Sequence, residues 1–203
     1  MIDELELLKQ DWKKQEGSLP HLEAKDIYPM LLKKSSSIVK WIFVISIAEF
    51  LFWLVITFMP LDPETIKFME EGHLKTFNTI LLSIQFSGLA FFMVWFYKNY
   101  RKIQSTDSAR VLMSNILNTR KTVKYYIWFN LTLFAISLIV VFSFLINHTP
   151  EKYADINHTY LIIASVGVSA VFIGILWLFY RIVYGILARR LEANYKELKR
   201  LEL

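Results

Sequence analysis

The sequence predicts an all-α fold: an integral membrane four-helix bundle of two hairpins with amphipathic cytoplasmic helices. Three observations predict it. Four blocks with almost no formal charge, Trp41 to Met59, Thr76 to Tyr97, Tyr125 to Ile146 and Tyr160 to Tyr180, are 19, 22, 22 and 21 residues long. At about 1.5 Å per residue each crosses a hydrocarbon layer of roughly 30 Å. The 203 residues are 55% hydrophobic and 16% aromatic, with a mean hydropathy of +0.37, whereas a soluble domain carries about 45 to 50% apolar residues even with glycine counted. Finally, twenty of the lysines and arginines fall before the first block, between the second and third, and after the fourth, while only Lys67, Lys75 and Lys152 fall elsewhere. This pattern excludes a soluble enzyme and a disordered chain. The absence of cysteine excludes a disulfide framework, a thiolate metal site and a cysteine nucleophile.

Because Lys and Arg accumulate on the cytoplasmic side of short loops, the expected location is the cell inner (plasma) membrane, multi-pass, with both termini cytoplasmic. The expected division is cytoplasmic amphipathic helices at 1–37, a first transmembrane hairpin at 38–97, a basic connection at 98–124, a second hairpin at 125–187 and a helical tail at 188–203. Met1 to Leu8 holds Asp3, Glu4 and Glu6 and no base, so it lacks the positive region of a cleavable signal. The first span therefore reads as a retained signal anchor. The net charge of +5 is mainly topological. It calls for no nucleic acid, although the bases of the middle connection also suit anionic lipid headgroups. Trp41, Trp95, Trp128 and Trp177 fall near the cytoplasmic span ends with Tyr97, Tyr100, Tyr125, Tyr126, Tyr180 and Tyr184, as an aromatic belt requires.

The cytoplasmic parts carry helical stripes. Ile2, Leu5, Leu8 and Trp12 share one face before Gly17, a natural helix stop. Ser18-Leu19-Pro20 breaks the chain there. A second helix begins between Ala24 and Pro29, and Pro29 favours a late start because proline is best tolerated in the first turn. Ser105-Thr106-Asp107 offers caps for a helix bearing Val111, Leu112, Ile116 and Leu117. In the tail, Leu187, Leu191, Asn194, Leu198 and Leu201 form a two-heptad seam. These stripes either pack on one another beneath the bundle or recruit a partner. The candidate partner-binding residues are Leu8, Trp12, Leu191, Asn194 and Leu198, for a cytoplasmic protein or a second copy of the chain. An internal repeat is also in view: Val39-Lys40-Trp41 matches Val123-Lys124-Tyr125, and Phe96-Tyr97-Lys98 matches Phe179-Tyr180-Arg181, at offsets of 84 and 83.

Inside the membrane the polar candidates are Glu49, Gln85 and Asn130. Glu49 is the one formally charged residue in the four blocks, and a charge at the bilayer centre costs roughly 2.5 to 3.5 kcal/mol on insertion scales. It should face other helices. Gln85, flanked by Ser83 and Ser87, lies at a similar depth by residue count, so Glu49 with Gln85 is the expected pair, with Asn130 nearer the cytoplasmic end. The functional reading is a proton, ion or ligand site. The structural one is helix glue worth about 0.6 to 2 kcal/mol, and the lack of a buried base or second acid favours it. The small residues Ala164, Gly167, Ala170 and Gly174 of span four suit close helix packing, inside the bundle or in a homodimer.

No catalytic residue, metal set or cofactor is expected. His21, His73, His148 and His158 lie outside the spans and show no ligand spacing such as HxxxH. Asn147-His148-Thr149 and Asn157-His158-Thr159 match the N-glycosylation pattern, though helix capping explains them more simply.

Leu7-Leu8-Lys9-Gln10-Asp11-Trp12-Lys13-Lys14-Gln15 and Lys33-Lys34-Ser35-Ser36-Ser37-Ile38-Val39-Lys40-Trp41-Ile42-Phe43 resemble a family of small bacterial four-pass membrane proteins. Its members are often uncharacterised and are sometimes automatically named beta-carotene 15,15'-monooxygenase. That name implies iron-binding histidines, and the four histidines of this chain do not supply them. The resemblance also implies a place beside extracytoplasmic-function sigma factors, and so an anti-sigma or sensory role. The sequence thus points to a non-enzymatic interaction or signalling protein, with a membrane enzyme or carrier for a lipophilic substrate such as a carotenoid as the alternative.

Overall fold

The computed structural model describes residues 24–71, 74–106, 108–147 and 157–201, together with Glu6, Leu8, Lys9, Asp11 and Trp12. Among these residues the chain is helical, with no strand. The elements are α1 (Ala24–Thr57), α2 (Pro63–Glu71), α3 (Leu74–Gln104), α4 (Ala109–Asn147) and α5 (His158–Leu201). Four of them, α1, α3, α4 and α5, are long and apolar enough to cross a membrane. At 44 residues, α5 is roughly 66 Å long. The excess over a bilayer core projects from one end, where α1 and α4 begin and α3 and α5 finish. That end carries most of the bases.

The four long helices form a ring: α1 packs on α3, α3 on α4, α4 on α5 and α5 back on α1, with a thinner diagonal contact between α1 and α4. The buried apolar core lies toward the basic end, running from Leu31, Ile38 and Ile42 of α1 through Phe92, Phe96 and Ile103 of α3 to Leu112 and Ile116 of α4 and Leu191 and Leu198 of α5. At the opposite end Phe52, Val55, Ile163, Val166 and Val171 are exposed. Lipid is as apolar as these side chains, so that surface needs no protein cover.

Local chemistry explains the helix boundaries. The Ile66 amide bonds to the Asp62 carbonyl at 3.1 Å, and Pro63 follows as the first helical residue, where its missing amide has no partner to lose. This short α2 fills most of the segment between the first and second apolar blocks. The helix α1 starts at Ala24 and contains Pro29, earlier than the proline suggests. Tertiary contacts hold that first turn: the Tyr28 hydroxyl donates to the Thr106 carbonyl at 2.8 Å, and Leu31 is buried. For α4, the Leu112 amide bonds to the Ser108 carbonyl at 2.9 Å, so the helix begins just after Ser108 and continues without a break into the third span. Leu112 and Ile116 face the core, whereas Val111 and Leu117 are exposed. At the start of α5, Asn157 caps the helix by accepting the Thr159 amide at 2.9 Å.

At the small-residue stripe of span four, the space that a Cβ would fill at Gly167 and at Gly174 is open. The close approach occurs instead at Gly88 of α3. A Cβ there would lie 2.1 Å from Cζ of Phe129, so the ring of Phe129 lies directly over the glycine. Gly17, Ser18-Leu19-Pro20, Asp107 and the side chain of Leu201 lie outside the described residues.

Candidate functional site

The expected polar residues lie at the junction between the packed basic half and the half whose apolar side chains are exposed. Glu49 of α1 is only 8% exposed, and its carboxylate gathers three hydroxyls from two other helices. Tyr126 of α4 donates to Oε2 at 2.6 Å. Tyr184 of α5 donates to the same oxygen at 3.0 Å, and Tyr180 of α5 donates to Oε1. Tyr180 and Tyr184 are four apart and share a helix face. Both pack edgewise or tilted on Tyr126, with ring centroids 6.2 and 5.3 Å away. No lysine, arginine or histidine forms an ion pair with Glu49 among the described residues.

Gln85 does not pair with Glu49. Its side-chain amide donates to Oδ1 of Asn130 at 3.0 Å, and Asn130 in turn donates to the Tyr126 carbonyl at 2.9 Å. The two knots therefore meet at Tyr126, which gives its hydroxyl to one and its backbone oxygen to the other. Glu49 and Gln85 are level by residue count, but the hydroxyl of Tyr126 takes the carboxylate and Asn130 takes the amide.

Three of the belt tyrosines are corrected by this geometry. Tyr126, Tyr180 and Tyr184 are buried, while Trp41, Tyr97, Tyr125, Trp128 and Trp177 are exposed, as belt residues must be. Arg181 stacks over Trp177 at 4.9 Å, as a cation at the interface can.

Two further buried polar contacts lie toward the basic end. Asn99 donates to Thr122 at 3.1 Å, and Asn194 donates to Ser35 at 3.0 Å. Leu191, Asn194 and Leu198 are all fully buried. These three partner candidates therefore fill the chain's own core, where α1 covers their stripe, which is the packing alternative of the two that the sequence offers. Leu8 and Trp12 are the reverse: both are helical and 67% and 74% exposed.

Two cavities open near these polar residues, and Glu49 lines one of them. One of about 430 Å³ lies between α1 and α5, with Glu49 set among Ala48, Phe52, Trp53, Phe179 and Tyr180. The other, about 180 Å³, reaches Gln85 and Asn130 from the side of Asn78 and Ser137. Trp53, Leu176 and Tyr180 border both. Among the described residues no three His, Asp or Glu side chains converge as a metal would require. His21, His73 and His148 and the side chain of His158 lie outside them.

The fold and these contacts define a class, a helical membrane bundle whose core is tied by buried polar knots. Within it, the chain belongs to the family described as Domain of unknown function (DUF8845), which it matches over residues 25–203. No curated protein and no solved structure matches the chain.

Proposed function

We infer that this is a regulatory interaction protein of the inner membrane, two helical hairpins with both termini cytoplasmic and an amphipathic collar, and without catalysis of its own. The observation that carries the reading is the Glu49 knot. One carboxylate joins α1, α4 and α5 at the point where the membrane half of the bundle meets the packed basic half. A change in the bilayer or at the outer face that strains this contact is passed to the collar, because the same three helices continue into it. The helix bearing Leu8 and Trp12 then holds a cytoplasmic protein. The lysine and arginine distribution supports the orientation. Purification in mild detergent tests the docking role. A protein retained by the wild type should be lost with Trp12→Ala, and identical retention by both chains argues against this assignment.

The cavity at Glu49 favours a second reading, a carrier or enzyme for a lipophilic molecule, with Glu49, Gln85 and Asn130 along its walls. Extraction of the purified chain with organic solvent tests it. A bound lipophile that disappears in Glu49→Ala supports the reading, and so does carotene turnover that depends on Glu49. A chain that yields only bulk lipid and no product counts against it.

A further inference from the structure

We propose that the cleft between α1 and α5 binds a lipophilic organic cation, an ammonium or phosphonium with apolar substituents, whose charge is met by Glu49. The proposal deepens the ligand-binding reading and is independent of the docking role of Leu8 and Trp12.

The cleft volume of about 430 Å³ falls in the range of small-molecule sites, about 300 to 1,000 Å³. Glu49 is the one charged residue on its walls. An ionised carboxylate offers about four acceptor positions. Tyr126 and Tyr184 occupy Oε2, whereas Tyr180 alone occupies Oε1, which leaves an acceptor position on Oε1. The three hydroxyls solvate the carboxylate but bring no positive charge, and among the described residues no base makes an ion pair with it. Such a group in lipid attracts a counter-charge strongly, because the low dielectric leaves the coulombic force weakly screened.

The walls decide which cation. Phe52, Trp53, Phe179 and Tyr180 present aromatic surface, whose faces attract cations. Calcium takes six to eight oxygen ligands and magnesium keeps several waters, and an apolar cleft with one carboxylate provides for neither. An anion is repelled. A neutral acyl chain fits the walls but leaves Glu49 uncompensated. A cation with apolar substituents satisfies both the walls and the charge, and it reaches the cleft from the lipid side, where Phe52 and Ala48 are exposed.

The test uses the full chain in a non-ionic detergent with tritiated tetraphenylphosphonium as the probe. The expected result is saturable binding, weakened at least tenfold by Glu49→Gln, whereas tetraphenylborate, the anion of the same shape, tested in a separate sample without the phosphonium, should show no saturable binding. Ala48→Trp, which fills the cleft and keeps the carboxylate, should weaken binding to the same degree while the helical dichroism and thermal midpoint stay at wild-type values. It decides the matter if the Glu49 variant does not fold. The proposal is overturned by no saturable binding to the wild type, by wild-type binding in a folded variant of either kind, or by equally saturable binding of the borate in its own sample. A chain that rejects the phosphonium but retains a neutral lipophile through Glu49 refutes the cation class alone. Retention of neither refutes the ligand-binding reading as well.

Discussion

The phenolic oxygen of Tyr126 on α4 lies 2.6 Å from Oε2 of Glu49 on α1, so two residues 77 positions apart close the diagonal of the helical ring. The diagonal contact is otherwise thin, which makes this hydrogen bond a large part of what fixes α1 against α4.

Removing one hydroxyl tests that role. Tyr126→Phe should lower stability in detergent by about 0.6 to 2 kcal/mol, the range found for hydrogen bonds between membrane helices. Tyr184→Phe should cost a similar amount. Tyr126 and Tyr184 share Oε2, so the double substitution leaves that oxygen with no donor and should cost more than the two single changes together. Unfolding titrations of the four chains measure the coupling, and strict additivity would remove the idea of a shared knot.

Gly88 makes a steric prediction. The ring of Phe129 occupies the position that a Cβ would need, and Phe129 is itself packed on Phe92, with centroids 5.6 Å apart. A larger residue must therefore displace the Phe129 ring or push α3 from α4. Gly88→Leu should lower the thermal midpoint markedly, since overpacking a filled core costs typically 1 to 3 kcal/mol. Gly88→Leu combined with Phe129→Ala should recover part of the loss. A single Gly88→Leu chain as stable as wild type contradicts the close approach.

The four spans and the basic end were legible in the sequence because lipid selects them residue by residue. Charge is excluded from each block, and lysine and arginine collect on one side. The Glu49 site was legible only in part. Glu49, Gln85 and Asn130 stand out as polar residues in apolar blocks, but Tyr126, Tyr180 and Tyr184 look like belt residues, because position along the chain says nothing about which way a ring points. The spacing of four between Tyr180 and Tyr184 was the available signal for a shared inward face. The repeat shows the same limit. Matching by residue type pairs Phe96 with Phe179, yet Phe179 is exposed, whereas Phe96 and Tyr180 are both buried. Burial therefore keeps the offset of 84 that Val39 and Val123 already share. The tail seam was legible as a stripe, but a stripe does not name its partner, and α1 turned out to provide it.

The collar contact between Ser35 and Asn194 carries a third prediction. Asn194 donates to Ser35 at 3.0 Å, while its own Oδ1 is buried with no hydrogen-bond partner among the described residues. Ser35→Ala alone strands the amide group as well and should cost about 1 to 3 kcal/mol. Ser35→Ala with Asn194→Leu removes both polar groups and should restore stability to the wild-type level or above it, because a buried polar pair replaced by packed apolar groups is often neutral or stabilising. Thermal midpoints of the two chains decide this, and a double variant less stable than Ser35→Ala would show that the asparagine has a partner that supports it.

The orientation makes the last prediction. Twenty lysines and arginines against three is a strong bias over short connections, and such connections are the ones that obey it. The bases also cluster where the helices project furthest. Arg120 bonds to Glu192 at 3.0 Å between α4 and α5, and the long polar extensions of α1 and α5 meet at Ser35 and Asn194. Translocating this assembled and highly charged end is far costlier than translocating α2 and the short connection before α5. Alkaline phosphatase fused after Leu203 or within residues 105–108 should therefore be inactive, and fused in the 58–62 segment before α2 it should be active. Adding four lysines within 58–62 should reduce that activity by opposing the bias. Active fusions at Leu203 would reverse the threading, and would move Leu8 and Trp12 away from any cytoplasmic partner.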